Sequence, residues 1–383
     1  MFLLLILRAL ASFVPKFDDA ADSVLERWDV LHFNAVAQNG YIYEHQFAFL
    51  PALPTILHYL DLFPTSVFIS VISLDAIRVL YGLSYILLRS PDLARIVTVL
   101  ALLPSSPVTF FLAPYTEPFF TYLSYRGMFF CARSQWSKAS IAFALAACFR
   151  SNGVFLAGFI LWGMLIAPLK RPDASKIVYA TLLSALVFAP FVYHNYTGYI
   201  SFCVANPGTR PAWCNNALPL VYTHAQAKYW NNGLFKYWTP QQLPNILLGL
   251  PPIVLIYSFG YWHLKTVLPT FLAPTPASPR TAEAASPFAS PVLTPHVLHA
   301  IFTASLLLFA SHTQITLRLA ASMPVVYWAA AWLWTHTNSQ ASSEGKNLEH
   351  QCKYRTWAKV WVYWSVVWSS VSIVLWVAFL PPA

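Results

Sequence analysis

The chain has 383 residues, of which 57% are hydrophobic and 10% are charged, and its formal net charge is +9. Apolar runs of about 20 residues recur without a polar face at a helical or strand period, which excludes an ordinary soluble domain. Such runs match the roughly 30 Å hydrocarbon core of a bilayer, where backbone groups are satisfied inside a helix. We therefore predict an all-α polytopic membrane protein. The basic residues lie in short connections between apolar runs, which indicates membrane topology rather than nucleic-acid binding.

The apolar runs predict the membrane segments in chain order. The first run is short and is interrupted by Arg8, and we interpret it as a membrane segment rather than a secretory signal. Pro104, Pro107 and Pro114 predict a kinked or broken third segment. The two short runs on either side of FRSNG are expected to be half-helices that meet at membrane depth. The predicted segments are 2–15, 66–88, 96–114, 119–132, 139–149, 153–168, 177–193, 245–263, 297–311, 319–335 and 358–379.

The charges between these segments predict which side each connection faces. With a cytosolic N-terminus, the basic connections share the cytosolic side, as the positive-inside bias requires; they are 89–95, 133–138, 170–176, 264–296 and 336–357. The opposite connections are rich in polar and aromatic residues, and they are 16–47, 194–244 and 311–318. We expect a catalytic membrane and lumenal part at 1–263, a disordered Pro/Ala/Ser-rich cytosolic linker at 264–296, and a C-terminal membrane part at 297–383.

The most polar stretch on the lumenal side is RWDVLHFNAVAQNGYIYEHQFAFLPALP, at positions 27 to 54. It continues into a segment that fits an amphipathic helix on the membrane surface. Asp29 is a candidate general base that takes a proton from a sugar hydroxyl while a lipid-borne group leaves. Trp28, His32, Glu44 and His45 are candidate substrate contacts beside it. The alternative is a solvated loop whose acids cap a helix.

Two more ionisable groups interrupt apolar sequence. Glu117, in APYTEPFF, is a candidate for holding a substrate hydroxyl or pairing with Arg126 or Arg150, because charges at membrane depth usually face a cavity or a partner. Its alternative is an ordinary acid at a helix start. Arg150, in CFRSNGVFLAGF, has no obvious local carboxylate and suits phosphate recognition, with Asn152 in the same turn. Its alternative is an arginine whose charged head reaches the interface.

Two later lumenal segments supply further candidate substrate contacts. SHTQITLR contains His312, Gln314 and Arg318, and the last two are four residues apart and share a helix face. A lone histidine is more often structural. Trp230 and Asn231 lie in AKYWNNGLFKYWTPQQLPN, whose flat aromatics and amides suit sugars. An interfacial aromatic belt has the same composition, so that alternative stays open.

The cysteines, and the cofactor and metal motifs that the sequence lacks, limit the chemistry that can be assigned to the chain. Cys203 and Cys214 flank the polar loop FCVANPGTRPAWC and are expected to pair if that loop faces an oxidising lumen. The sequence contains no CxxC or HExxH metal motif, no GxGxxG and no P-loop. We therefore assign no metal ligand and no resident cofactor.

Five motifs, in this order, resemble the GPI mannosyltransferase 2 family: the stretch at 27–54, SPVTFFLAPYTEPFF, FRSNGVFLAGF, YWNNGLFKYWTPQQLPNILLGLP and SHTQITLRLAASMPVVYW. The resemblance implies a GT-C type bundle in the endoplasmic reticulum membrane with its active site in the lumenal loops. It implies transfer of the second mannose, in an α-1,6 bond, from dolichol-phosphate-mannose to the glycosylphosphatidylinositol precursor. An acid in the first lumenal loop is the usual base of this superfamily, and Asp29 matches it. The short first span and the Pro-rich linker depart from the pattern.

Two other classes of function remain at this stage. A membrane transporter would also bury charge, but it would be expected to show paired repeats with broken helices in matching halves. A non-catalytic subunit of a membrane complex would tolerate loss of Asp29. The partners implied by the resemblance are membrane lipid, the lipid-linked donor and the GPI precursor, with no nucleic acid. A small membrane accessory subunit and a divalent ion are left open.

Overall fold

The computed structural model describes residues 2–18, 23–167, 173–205, 210–272, 286–335 and 348–381. These residues form α-helices joined by 3₁₀ and π turns and contain no strand, so the all-α prediction is confirmed. The helices are α1 (Phe2–Ala11), α2 (Asp29–Asn39), α3 (Ala52–Tyr59), α4 (Leu62–Leu88), α5 (Pro91–Ala101), α6 (Pro107–Phe111), α7 (Glu117–Ala132), α8 (Trp136–Ala147), α9 (Ala157–Leu161), α10 (Ala174–Tyr199), α11 (Val221–Lys228), α12 (Leu243–Leu272), α13 (Thr294–Phe309), α14 (Thr316–Leu319), α15 (Pro324–Thr335) and α16 (Leu348–Val377).

Several helices have the length and composition of membrane spans. Within the described residues, five segments qualify, and they are Leu62–Leu88, Ala174–Val204, Pro240–Pro269, Pro291–Phe309 and Tyr354–Val377. The multi-span helical class is therefore confirmed. Other predicted segments correspond to shorter helices. Helix α7 has 16 residues and is about 24 Å long at 1.5 Å per residue, less than the hydrocarbon core.

The breaks in the shorter segments have identifiable causes. The predicted third segment is divided between α5, which ends at Ala101, and α6, which begins at Pro107. Proline lacks the N–H of a helix interior and is tolerated in the first turn, so Pro104 and Pro107 separate the two helices. After α8, the chain does not form one further α-helix. It passes through a 3₁₀ turn, Ser151–Leu156, then α9 and a π turn, Trp162–Ile166.

The predicted linker at 264–296 is structured at both margins. Helix α12 continues past the predicted boundary to Leu272. On the other side, Phe288 is buried, and its carbonyl oxygen lies 2.9 Å from Nδ1 of His263. This contact holds the segment before α13 against α12. The two margins are therefore corrected to packed structure, because each buries apolar side chains, and residues 273–285 lie outside the described residues.

Helix α15 lies at the centre of the bundle. Every side chain from Pro324 to Leu333 is buried, and a helix that is apolar on all faces belongs in the interior. It contacts α5, α12, α13 and α16. One of its tryptophans, Trp328, is fully buried and donates its indole N–H to the hydroxyl oxygen of Ser84 at 2.8 Å. The polar atom of this tryptophan is thus satisfied inside the core.

The helix order separates a polar end of the bundle from a basic end. Helix α7 begins at Glu117, and α8 packs against it and leads back to Arg150, which contacts Glu117. The connection between these helices begins at Arg133, and Lys138 follows it in the first turn of α8. This end of α7 lies about 24 Å from Glu117, given the rise of an α-helix. Groups that approach one another at the polar end are therefore far from these basic residues.

Gly153 follows Arg150 in the turn after α8, at a position that leaves no room for a side chain. A Cβ atom there would lie 2.6 Å from the Cα atom of Ala147, which is a backbone atom and cannot rotate away. The amide of Gly153 donates to the carbonyl oxygen of Arg150 at 3.0 Å, so the turn is also hydrogen-bonded. Close backbone approach is therefore the reason for glycine in this turn.

We expect Gly153→Ala to destabilise the fold by about 1–3 kcal/mol, the usual cost of overpacking. Gly158→Ala is the matched control, because a Cβ atom at Gly158 meets nothing within 4 Å. The measurement is the thermal unfolding midpoint of each detergent-purified variant. Equal midpoints for the two variants would contradict the close approach at Gly153.

Candidate active site

One cavity of about 290 Å³ opens at the polar end of the bundle. Segments that are distant in sequence form its walls: the start of α2, the turn after α8, one face of α11, and the connection from α13 into α14. It brings together seven of the residues singled out from sequence, and these are Trp28, Asp29, Arg150, Trp230, His312, Gln314 and Arg318. The three connections predicted to be lumenal, 16–47, 194–244 and 311–318, therefore all contribute to one site.

A chain of ion pairs runs along one wall of the cavity. Nη1 of Arg318 lies 2.7 Å from Oδ2 of Asp29, and its Nε lies 3.3 Å from Oε1 of Glu117. Nη1 of Arg150 lies 2.8 Å from the same Glu117 oxygen and donates to the hydroxyl of Thr116 at 3.1 Å. Burial disfavours the charge on Arg318, but the nearby carboxylates of Asp29 and Glu117 outweigh it and raise the pKa of the guanidinium. Both guanidinium groups are therefore held at the cavity wall by ion pairs with carboxylates.

Among the described residues that line the cavity, Asp29 is the only acidic one. It is the first residue of α2, and its backbone N–H donates to the hydroxyl of Tyr115 at 3.2 Å. The same hydroxyl lies 3.4 Å from the carbonyl oxygen of Arg27, which it donates to. The side chain of Asp29 is 29% exposed, whereas that of Glu117 is 2% exposed. Asp29 therefore has access to a ligand, and Glu117 lies behind it.

The residue before Asp29 has an unusual backbone. Trp28 has φ 54° and ψ −119°, and a positive φ is uncommon for any residue other than glycine. Strain of this kind costs about 1–3 kcal/mol and persists only where surrounding contacts hold it. It lies directly before the acidic residue of the cavity. The direction in which α2 starts is therefore imposed by tertiary contacts rather than by local preference.

Aromatic rings form another part of the cavity wall. Phe49 and Trp230 line it, and His32 packs against both, with ring centroids 5.1 Å from Phe49 and 5.4 Å from Trp230. Burial lowers the pKa of His32, so the ring is neutral near pH 7. Burial also lowers the pKa of His312, whose Nε2 lies 2.7 Å from the carbonyl oxygen of Trp230. Both histidines thus support the tryptophan.

Glu44 does not line the cavity, and its carboxylate is fully engaged elsewhere. Trp213 donates its indole N–H to Oε1 at 2.8 Å. Oε2 accepts from the hydroxyl of Tyr229 at 2.8 Å and from Nζ of Lys228 at 3.1 Å, and Nε2 of His224 lies 3.3 Å away. Burial opposes ionisation, yet these donors outweigh it and hold the pKa of Glu44 at about 2. Glu44 therefore joins its loop to α11.

Three other candidates do not line the cavity either. His45 stacks on the ring of Tyr43 and is edge-on to Tyr229. Asn152 lies in the turn after α8, outside the cavity lining. Asn231 has φ 49°, the left-handed conformation that asparagine tolerates, and serves the turn. Its neighbour Asn232 lines the cavity instead. Two adjacent asparagines in a turn cannot be distinguished by sequence.

The cysteines of the polar loop are bonded in the structure. Cys203 and Cys214 form a disulfide with their Cα atoms 5.7 Å apart, a normal separation. Both are buried with Phe47, Val221 and Trp213 in one small cluster. Because Trp213 binds Glu44, this cluster connects the disulfide to the loop that carries Phe49.

Some cavity residues were not singled out from sequence. Tyr115 lies just before the candidate Glu117 in sequence, and Tyr222 and Gln226 are four residues apart on α11, so they share a helix face. The hydroxyls of Tyr222 and Ser151 lie 2.6 Å apart and join α11 to the turn after α8. The spacing of Tyr222 and Gln226 is a weak signal, because the same spacing occurs on any helix.

Several cavity residues bury a polar atom that has no hydrogen-bond partner among the described residues. These atoms are Nε1 of Trp28, Nε of Arg150, Nε1 of Trp230, Oδ1 of Asn232 and Nε of Arg318. Buried polar groups are normally hydrogen-bonded. Four of these five atoms are N–H donors, so the cavity favours a ligand rich in acceptor oxygens. Within the described residues, no group of three or more His, Cys, Asp or Glu side chains is arranged to hold a metal ion.

An all-helical membrane bundle with a carboxylate, two arginines and aromatic rings around one cavity fits an enzyme that acts on a lipid-linked, oxygen-rich substrate. The family model described as "Mannosyltransferase (PIG-V)" matches residues 4–383, and the chain belongs to this mannosyltransferase family. It is therefore a glycosyltransferase.

Curated proteins are similar over most of the chain. A protein of Cryptococcus neoformans named GPI mannosyltransferase 2 is 33% identical, over 99% of this chain and 95% of its own length. A mouse protein named GPI alpha-1,6-mannosyltransferase 2 is 32% identical, over 81% of this chain and 73% of its own length. A Schizosaccharomyces pombe protein named GPI mannosyltransferase 2 is 27% identical, over 93% and 73%. No solved structure matches this chain significantly.

The low pKa of Glu44 predicts a pH dependence of stability. Its folded-state pKa of about 2 is below the usual value of 4.5, so its contribution to stability is present above pH ~4.5 and is lost as the pH falls towards 2. Glu44→Gln should lower the unfolding midpoint at pH 7 and reduce its decline between pH 5 and pH 3. Asp92→Asn is the control, because Asp92 pairs with Arg95 on the exposed surface. Parallel curves for the parent and Glu44→Gln would refute this role.

Proposed function

We propose that this protein transfers the second mannose of the glycosylphosphatidylinositol anchor from dolichol-phosphate-mannose to the first mannose of the precursor, in an α-1,6 bond. The reaction takes place at the endoplasmic reticulum membrane, with the cavity on the lumenal side. Membership of the mannosyltransferase family and the names of the relatives support this substrate class. The observation that carries the mechanism is that Asp29, the one carboxylate among the described lining residues, lies beside two arginines.

Asp29 is the general base in this proposal, and the other two candidate acids are unsuited to it. Both oxygens of Glu117 are engaged: Oε1 with the two arginines, and Oε2 with the hydroxyl of Thr116 at 3.2 Å. Both oxygens of Glu44 are engaged as well, outside the cavity. Among the described residues, the Asp29 carboxylate has one side-chain contact, which joins its Oδ2 to Arg318. Its Oδ1 is the oxygen that can accept a proton from the substrate.

The reaction is an inverting single displacement. The 6-hydroxyl oxygen of the acceptor mannose attacks C1 of the donor mannose, and the bond from C1 to the phosphate oxygen breaks. The electron pair of that bond leaves with dolichol phosphate, and the hydroxyl proton moves to Asp29 as the new bond forms. The donor mannose is β-linked and the product is α-linked, so one displacement accounts for the stereochemistry. Alignment of hydroxyl and carboxylate is the main contribution of the protein.

Arg150 and Arg318 bind the donor phosphate in this proposal. Each guanidinium presents several donors in a plane, which matches phosphate oxygens. The charges of the two arginines balance those of the Asp29 and Glu117 carboxylates. A bound phosphate accepts hydrogen bonds from guanidinium N–H groups that bind these carboxylates in its absence. The charge that develops on the leaving phosphate is then stabilised by groups already in position. Among the described residues, the buried Nε of Arg150 has no hydrogen-bond partner, whereas Nε of Arg318 is paired with Glu117.

The sugar rings are held by other side chains that line the cavity. Phe49 and Trp230 offer flat apolar faces to sugar C–H groups, while Tyr222, Gln226 and Asn232 offer hydrogen-bonding groups to hydroxyls. This arrangement separates phosphate recognition from sugar recognition within one cavity. A transporter or a non-catalytic subunit has no need for a carboxylate with one uncommitted oxygen, and loss of that oxygen distinguishes these classes.

The distribution of basic residues supports a lumenal cavity. Arg89 and Arg133 lie in connections at the end of the helices opposite the cavity, with Lys138 in the adjoining first turn of α8, and positive charge favours the cytosolic side. The disulfide between Cys203 and Cys214 agrees with this orientation, because the lumen of the endoplasmic reticulum is oxidising.

We expect Asp29→Asn to lower the transfer rate by about 10²–10⁴-fold, the usual loss of a general base. Asparagine keeps the shape and can still bond Arg318, but it cannot accept the proton. The assay is transfer of labelled mannose from dolichol-phosphate-mannose to a one-mannose GPI precursor by purified protein. Asp92→Asn, an exposed acid on α5, is the control. A parent rate for folded Asp29→Asn would remove Asp29 as the base.

A second expectation concerns the phosphate. Arg150→Lys keeps the charge but loses the planar donors, and we expect it to raise the KM for the donor by about tenfold, the effect of losing roughly 1.4 kcal/mol of binding. The KM for the acceptor should change much less. Arg95→Lys, at an exposed arginine of α5, is the matched control. Equal changes in the two KM values would argue against a phosphate contact at Arg150.

A further inference from the structure

We propose that Phe379, just beyond the end of α16, is a positioning residue for the catalytic carboxylate of Asp29. This inference rests on the proposed role of Asp29 as the base. Phe379 is 350 residues away in sequence and does not line the cavity. It acts through Arg27 and Trp28, the two residues that precede Asp29.

The ring of Phe379 contacts both of these residues. The guanidinium carbon of Arg27 lies 4.8 Å from the ring centroid, within the range of a cation–π interaction. The ring centroid of Trp28 lies 5.6 Å away, in a tilted arrangement. Arg27 is 1% exposed and Phe379 is 4% exposed, so these contacts are shielded from water. One ring therefore restrains two consecutive residues at the start of α2.

The backbone at this contact is strained on both sides. Trp28 has φ 54° and Phe379 has φ 61°, and neither is glycine. Two residues with positive φ therefore meet through their side chains. Strain of this kind persists where surrounding structure holds it, and it occurs often at functional sites. Without the ring of Phe379, Trp28 would lose a contact that holds its conformation, and α2 would start in a different direction.

The rest of this segment provides a fixed base for Phe379. The indole N–H of Trp376 donates to the carbonyl oxygen of Val24 at 2.8 Å, and its ring contacts that of Tyr115 at 5.6 Å. Tyr115 in turn bonds the backbone of Asp29 and of Arg27. The amide of Phe17 donates to the carbonyl oxygen of Ala378 at 2.8 Å. Residues 376–379 thus contact the loop before Asp29 at several points.

A displacement of the carboxylate has a defined kinetic consequence. Proton transfer requires Asp29 within hydrogen-bond reach of the acceptor hydroxyl, and a shift of about 1 Å at a reacting group can cost roughly 10²-fold in rate. The donor phosphate is bound by Arg150 and Arg318, and both guanidiniums keep their ion pairs with Glu117 when Asp29 shifts. Loss of the ring should therefore reduce kcat and leave the KM for the donor nearly unchanged.

The test compares full-length Phe379→Leu, Phe379→Tyr and the control Phe17→Ala, whose ring is 78% exposed. The readouts are kcat per folded molecule and the KM for dolichol-phosphate-mannose. We expect Phe379→Leu, which stays apolar but lacks the ring, to lower kcat about tenfold or more with a donor KM within about twofold of the parent. Phe379→Tyr keeps the ring and should restore most of kcat. Phe17→Ala should match the parent.

Parent kcat per folded molecule in Phe379→Leu would overturn the inference, whether or not the yield of folded protein falls. If Phe379→Leu does not fold, Arg27→Met replaces it; this variant removes the charge above the ring and should lower kcat in the same way, and parent kcat would again overturn the inference. Asp29→Asn is measured in parallel. A parent rate in Asp29→Asn refutes the base, and this inference with it, whereas a low rate there with parent kcat in Phe379→Leu refutes this inference alone.

Discussion

The organisation of the site depends on one buried carboxylate, that of Glu117. It is shared by Arg150 and Arg318, and through Arg318 it is connected to Asp29. Two guanidiniums held this close would repel each other and would be costly to bury without a counter-charge. Removing one partner of a buried ion pair typically costs about 3–5 kcal/mol, because the other charge stays unpaired. Glu117 therefore permits the first turn of α7, the turn after α8 and the start of α14 to meet.

This arrangement explains why three acids near the polar end have different roles. Glu117 is enclosed and neutralises the arginines. Glu44 is saturated with donors and joins the loop before α3 to α11 and to the disulfide cluster. Of these three acids in the described part of the chain, Asp29 lines the cavity and has one carboxylate oxygen without a side-chain contact. The same carboxyl chemistry thus serves counter-charge, cross-link and proposed base, and the surroundings of each group decide which.

The bundle supplies the rigidity that this division requires. Helix α15 is buried on every face, and it is continuous with the segment that carries Arg318. Helix α7 begins at Glu117, and α2 begins at Asp29, so the charged groups are attached to helix ends rather than to free loops. Sites on regular elements hold their geometry better than sites on loops. Beyond the end of α16, Phe379 adds a contact from the opposite end of the chain.

Sequence by itself determined the class of this protein, because apolar runs and interrupting charges report the bilayer directly. The broken third segment and the pairing partners Cys203 and Cys214 were also accessible, since proline and cysteine act locally or within one loop. Only the tertiary structure decided which polar residues share the cavity. Glu44 and Asp29 belong to the same stretch, yet one faces α11 and the other faces Arg318, 289 residues away. The cavity is lined by Asn232 and not by its neighbour Asn231, and by Tyr222 and not by Asn152. A side chain's partners depend on packing between distant helices, and no local pattern encodes that packing.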